Sequence, residues 1–371
     1  MVYRPSLWCC CGLAVSAMHR HQREDPVTRC KNSASTGMFG PLWTNAGVCC
    51  SGSLSLCFFV EPVSLQAIYF FLSPNQETFM TFQNRWIRGA AVLALAAATA
   101  ASAQAQEVIL KVHHIWPTMA IGHSRVVAPW CEAIAKDSNN RMRCQILPAM
   151  TGGGTPAQLV DRVKDGVDDL VVTLPGYTPG RFPIMEALEL PFMTNTAESA
   201  SAAAWDYYSK YATKEFTGSK ILATWVHDEG FVSTSGKSIR TMEDFKGLKI
   251  RAASRQSSKL LARLGATPVG MPIPPVADAM TKGTIDGFMT AWEIIPAFKL
   301  HEVSKYHTEI ESSRPSMFTA GFVMAMNQAK YDSLPADLKS VIDKNSGATL
   351  SRTIGRYWDE ATATGRNAAV A

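Results

Sequence analysis

From residue 106 onward, short runs rich in Val, Ile and Leu alternate with segments whose apolar residues recur at helical spacing. Val108 to Ile115 predicts a strand, Ser124 to Lys136 a helix, and Met142 to Leu147 a second strand. The turn Gly152-Gly153-Gly154-Thr155-Pro156 leads into a helix over 157–165 that Gly166 closes, and Asp169 to Leu174 is the next strand. A second series follows the strand Ile221 to Val226. Phe231 to Ser235 and Leu248 to Ala252 read as extended, and helices over 257–264 and 277–282 each end in glycine. Ile285-Asp286-Gly287-Phe288-Met289-Thr290 reads as a strand and turn. Met317 to Met326 is an uninterrupted apolar run long enough to cross between domains, and a long amphipathic helix is expected from Asp337 onward. Alternation of this kind predicts an α/β fold with largely parallel sheets. The chain leaves a first lobe near residue 228 and returns near 325. Lobe 1 is thus expected over 106–228 plus 326–371, lobe 2 over 229–325, with crossing strands and a cleft between them.

The first 105 residues follow a different pattern. Arg85 and Arg88, the apolar run Ala90 to Ala101 and the small-x-small site Ala103-Gln104-Ala105 make residues 80–105 read as a secretory signal peptide. Such a signal is read at an N-terminus, so Met80 is the expected start and residues 1–79 an unstructured upstream extension. Seven of the nine cysteines (Cys9, Cys10, Cys11, Cys30, Cys49, Cys50, Cys57) precede Met80. They carry no paired CxxC spacing and no histidine pattern of a metal site. The apolar patch from Leu54 to Leu72 is interrupted by Glu61-Pro62, and neither half approaches the ~20 residues of a membrane span. Cys131 and Cys144 remain. In an oxidising compartment they are either a disulfide or two buried thiols, and sequence leaves both open.

Charge and motifs narrow the function classes. The formal net charge of +5 belongs to the whole chain, and no basic run with interleaved aromatics points to nucleic acid. The region after residue 106 has no Gly-x-Ser-x-Gly elbow, His-Glu-x-x-His, Walker loop or dinucleotide fingerprint. No enzyme activity, cofactor or metal is expected. The triple glycine lacks a lysine at phosphate-loop spacing and reads as a turn bringing backbone close to a ligand or a neighbouring strand.

Five short motifs occur in order: Leu-Pro-Gly-Tyr-Thr-Pro-Gly-Arg-Phe-Pro (174–183), Glu-Leu-Pro-Phe-Met (189–193), Phe-Lys-Gly-Leu-Lys-Ile-Arg (245–251), Gly-Ala-Thr-Pro-Val (265–269) and Ile-Asp-Gly (285–287). In this succession the chain resembles the solute-binding proteins of tripartite ATP-independent periplasmic (TRAP) transporters. The resemblance implies two α/β lobes joined by strands and a long helix, which close over a small organic acid. It further implies a periplasmic, monomeric protein that delivers the acid to the permease subunits of an ion-gradient-driven transporter. A binding protein that reports to a membrane sensor would use the same cleft, and a secreted α/β hydrolase is the more distant alternative.

Arginine suits the chemistry of such a site, because its planar fork gives a carboxylate two parallel charge-assisted hydrogen bonds. Arg251 follows a short strand and matches the position where the resemblance implies the carboxylate clamp. Arg181, in a loop crowded with prolines, is the rival cation and reads as a loop or rim residue. Where the family often carries a second arginine this chain has Phe231, which favours a monocarboxylate with an apolar or aromatic body over a dicarboxylate. Trp292 and Tyr177 are candidate pocket faces, and Thr290 falls where the family places a side-chain amide or hydroxyl near the ligand. From the first lobe, His114, Trp116, Thr155 and Thr173 are candidate contacts. His113 and His114 are adjacent on a strand and point to opposite sides, so at most one reaches a ligand.

Overall fold

A computed structural model describes residues 107–311 and 314–370. The expected export signal over 80–105 and the extension over 1–79 lie outside the described residues. The chain opens with β1 (Val108–His114), then α1 (Ala128–Asp137), β2 (Met142–Leu147), α2 (Leu159–Lys164), β3 (Leu170–Thr173), α3 (Ala197–Tyr207) and β4 (Ser219–Val226). A second series follows: β5 (Gly230–Thr234), β6 (Lys249–Ala252), α4 (Arg255–Arg263), β7 (Thr267–Gly270), α5 (Val276–Thr281), β8 (Gly287–Ala291) and β9 (Tyr306–Thr308). β10 (Gly321–Asn327), α6 (Gln328–Ser333), α7 (Ala336–Lys344) and α8 (Ala348–Val370) complete it.

The strands form two sheets of five, in the orders β2-β1-β3-β10-β4 and β7-β6-β8-β5-β9. In the first, β1 is parallel to β2 and β3, while β10 runs antiparallel to β3 and β4. In the second, β6 is parallel to β7 and β8, while β5 is antiparallel to β8 and β9. The central strands β3, β5, β8 and β10 are buried along their whole length. Strands covered on both faces read as continuous apolar runs, which explains the sequence signal there.

Three segments join the sheets. His227-Asp228-Glu229 links β4 to β5, and Met317–Ala320 leads into β10. Only Gly321–Asn327 of the long apolar run has ladder partners, so the return crossing comes several residues earlier than hydrophobicity suggests. The two crossings are tied together where Gly230 N donates to Phe318 O at 3.1 Å. Helix α8 is the third link. A Cβ at Gly355 would lie 2.3 Å from Ala197 O of α3, and one at Gly365 would lie 2.1 Å from Trp292 O, beyond β8. Glycine at these two places lets one helix lie directly on backbone belonging to each sheet's surroundings. The single long helix expected from Asp337 is in fact two, because Gly347 adopts φ +88° and separates α7 from α8.

Cys131 of α1 and Cys144 of β2 form a disulfide with a Cα–Cα distance of 5.7 Å. It pins a helix to an edge strand.

Candidate functional site

Between the two sheets lies a small cavity. The first sheet and its loops contribute Ile115, Trp116, Leu174, Tyr177 and Phe322; the second contributes Arg251, Ala253, Ile273, Thr290, Glu293 and Ile294. His227 and Phe318, on the two crossings, line it as well. The site therefore sits on the hinge side of the cleft, where either lobe can reach it.

Arg251 is the cation of this wall. It is 2 % exposed, with Nε donating to Met271 O at 2.9 Å and Nη1 to Met289 O at 3.0 Å. Two neutral carbonyls fix the plane of the fork without neutralising it. The Tyr177 hydroxyl, which accepts from Ile273 N at 3.4 Å, also sits against the guanidinium. Burial holds the Arg251 pKa below its ordinary value, yet arginine stays charged. Among the described residues no carboxylate pairs with it; a buried cation left so is costly, and an anion entering the cavity relieves that cost.

Other polar groups of the lining gather around the first crossing. His227 Nδ1 lies 2.7 Å from Asp228 O. A carbonyl only accepts, so Nδ1 carries the proton and Nε2 is an acceptor. Burial pushes the His227 pKa down to about 4, with Arg251 adding to the effect, which keeps the ring neutral at pH 7. Its ring packs on Phe318 at 5.0 Å. Glu293 Oε1 accepts from Trp358 Nε1 at 3.0 Å, while Oε2 is buried without a hydrogen-bond partner among the described residues. Burial pushes Glu293 up to about 7. Asp228 is pushed well above the ordinary carboxylate range, first by burial and then by Glu293 and Asp359.

Of the residues expected from sequence, Arg251, Trp116, Tyr177 and Thr290 line the cavity and the other five do not. Trp116 is held by an aromatic cluster with Phe322, Trp225 and Trp358, in which Trp225 and Phe322 stack 5.4 Å apart. His114 is turned into lobe 1. Its Nδ1 accepts from Trp116 N at 3.2 Å, and its Nε2 lies 3.0 Å from His123 Nδ1. Both nitrogens are thus occupied, and burial pushes its pKa down to about 3. His114 supports the cavity by positioning Trp116. His113, on the other face, bonds Asp168 at 2.9 Å, and Asp168 in turn takes Arg162 at 2.6 Å. A Cβ at Gly152 would lie 2.8 Å from the His113 ring, so the triple-glycine turn serves close packing on the neighbouring strand.

Thr155 is exposed and takes part in a capping box with Gln158, and the Thr173 hydroxyl donates to Pro156 O at 3.4 Å within lobe 1. Phe231 and Trp292 stack on each other at 3.6 Å in the core of lobe 2, and Trp292 Nε1 donates to Glu309 at 2.8 Å. The reason for Trp292 is local. β8 ends at Ala291 and a tight turn over Trp292–Ile294 begins, so the strand alternation that pairs 290 with 292 fails. The turn rotates Trp292 away and brings Glu293 to the cavity. Sequence reading missed Glu293 and His227. The signals available were His227's place at the end of a buried strand and Glu293's directly after the flagged tryptophan. Arg181 forms a bidentate pair with Asp161 at 2.5 and 2.8 Å, on the loop's outer side.

The lobes are closed and latched. Glu186 of lobe 1, 4 % exposed, takes Arg255 Nε at 2.8 Å and Gln256 Nε2 at 3.0 Å from the start of α4, and Gly180 N at 2.9 Å from its own loop. Beside it Glu189, also buried, accepts from Gly321 N at 3.4 Å, and burial pushes its pKa up to about 7.

Comparison with known proteins agrees with this arrangement. Residues 112–363 match the family model of bacterial extracellular solute-binding proteins, family 7. A TRAP solute-binding protein from Rhodoferax ferrireducens, crystallised with copurified benzoate, is 44 % identical over 71 % of this chain and 82 % of that one, with a TM-score of 0.70. A marine metagenome TRAP solute-binding protein specific for aromatic acid ligands, in complex with 3-hydroxybenzoate, is 45 % identical over 71 % and 82 %, with the same TM-score of 0.70. A third, from Bordetella bronchiseptica with bound (R)- and (S)-mandelate, is 29 % identical over 70 % and 82 %, with a TM-score of 0.66. The two-lobed fold, the hinge-side cavity and these matches together make the chain a TRAP transporter solute-binding protein of extracellular family 7.

Proposed function

We propose that this protein captures an aromatic monocarboxylate in the periplasm, after export through the segment 80–105, and presents it to the permease subunits of its transporter. The observation that carries the reading is a buried cavity whose cation is Arg251 and whose walls are Ile115, Trp116, Leu174, Phe318 and Phe322. One guanidinium fork matches one carboxylate, and flat apolar walls match an aryl ring. Phe231 stands in the lobe 2 core and supplies no second cation. The ligands of the similar structures, benzoate and 3-hydroxybenzoate, fit the same description. The disulfide suits an oxidising compartment.

The mechanism is capture by closure, with no bond made or broken in the ligand. The carboxylate docks on Arg251 in lobe 2, and lobe 1 then brings Trp116 and Tyr177 over it, with rotation at the three crossings. Ligand favours the closed form because only that form contacts it from both sides. The Glu186–Arg255 latch adds to closure.

A thermal-shift screen of the chain from Gln106, against aryl acids, aliphatic mono- and dicarboxylates, sulfonates and sugar acids, tests this. A ligand at a hundred times its dissociation constant adds ~2.7 kcal/mol of stability. Stabilisation by aryl monocarboxylates that vanishes in Arg251→Ala is expected; stabilisation by dicarboxylates alone would overturn the reading.

A further inference from the structure

Arg251 accounts for the ligand's carboxylate, and two further ionisable residues stand in the lining of the same cavity. These are His227, whose Nε2 is an acceptor, and Glu293, whose buried Oε2 accepts when ionised and donates when protonated. Neither has a donor among the described residues' side chains: His227 commits its proton to Asp228 O, and Glu293 Oε2 is buried with no partner. Trp358 Nε1 holds Glu293 through Oε1, so Oε2 cannot simply be turned into a bond already made. A buried unpaired acceptor costs free energy that a matching ligand donor returns.

We infer that the pair of His227 and Glu293 reads a hydroxyl on the ligand ring, so that the preferred substrates are hydroxylated aryl carboxylates rather than unsubstituted ones. The inference rests on the aryl-acid reading of the same cavity. Discrimination should be strong, because a site built to bond a hydroxyl leaves buried polar groups unpaired when the hydroxyl is missing. It should also depend on where the hydroxyl stands, since both residues are fixed by hydrogen bonds of their own.

The test is calorimetric titration with benzoate, 3-hydroxybenzoate and 4-hydroxybenzoate, for the wild type and for Glu293→Gln, Glu293→Met and His227→Phe. In the wild type, one of the two hydroxybenzoates should bind at least ~10-fold tighter than benzoate, the scale of one hydrogen bond to a charged or strongly polar acceptor. Glu293→Met or His227→Phe should bring that ratio to within about two-fold, whatever either change does to benzoate affinity itself. Glu293→Gln keeps the acceptor for Trp358 and guards against a variant that fails to fold; its ratio should be intermediate. A wild-type ratio near one, or a ratio unchanged in both acceptor-free variants, overturns the inference and leaves the aryl-acid reading standing. If none of the three acids binds, both fall together.

Discussion

The two lobes furnish the same cavity with opposite chemistry. Lobe 1 gives it a mostly apolar wall, Trp116 and Phe322 braced by Trp225 and Trp358 behind them, with one phenol at Tyr177. Lobe 2 gives it the charge, Arg251 and Glu293, on backbone that is rigid because β6 and β8 are parallel neighbours in the middle of a sheet. The difference teaches an order of events. A carboxylate can be recognised on open lobe 2 alone, through a fork already oriented by two carbonyls, whereas apolar contacts become worth their full value only when lobe 1 excludes water. Polar selection then precedes apolar commitment.

Breaking the lobe 2 side should have the largest effect. Arg251→Ala removes two charge-assisted bonds to the ligand at ~1.5–3 kcal/mol each, so aryl-acid affinity should fall by ~100-fold or more in calorimetry. Retained affinity would place the clamp elsewhere. Damage to the lobe 1 wall should be smaller and felt in stability too. A Cβ at Gly122 would sit 2.4 Å from the Trp116 ring, so Gly122→Ala must shift the indole. Overpacking of this kind costs ~1–3 kcal/mol, readable as a lower Tm together with weaker binding. A loss of Tm without loss of affinity would show that Trp116 serves the core alone.

The latch sharpens the comparison, since it belongs to neither wall. Arg255 is 40 % exposed and its pair with Glu186 is partly screened, so Arg255→Ala should raise the ligand off-rate only a few-fold in stopped-flow measurements. An unchanged off-rate would remove the latch from the closing mechanism. The smallest effect concerns pH. Glu189 and Glu293 have folded pKa values raised from 4.5 to about 7, so between these values the native state holds protons that the unfolded chain has released. Their contribution to the stability of the ligand-free protein therefore falls as pH rises from about 4.5 to about 7, against the rising contribution of His114 and His227, whose folded values of about 3 and about 4 lie below 6.5; Glu189→Gln should make Tm climb more steeply with pH over this window than in the wild type.

How far the sequence showed all this follows from the same geometry. Buried strands such as β3, β8 and β10 announce themselves as apolar runs, and the alternation with helices gives the fold class. The crossings are legible to within a few residues, because hydrophobicity continues from Met317 through the hinge where ladder pairing stops. The site is legible only where it rides on regular structure: Arg251 on β6 and Thr290 on β8 follow strand positions and quoted motifs. Trp292 and Glu293 do not, since a tight turn reverses the alternation between them. His114 ends the first strand as a ligand contact would, and only the two bonds that occupy its ring show that it braces Trp116. No local pattern marks His227, whose role comes from a carbonyl one residue away and from the meeting of two lobes.

A crystal structure of the benzoate complex tests the central claim most directly. The account predicts both carboxylate oxygens within hydrogen-bond distance of the Arg251 guanidinium, the ring against Trp116 and Phe322, and the Glu186–Arg255 latch intact. A carboxylate held by any other cation, or a ring outside the cavity that these residues enclose, would contradict it.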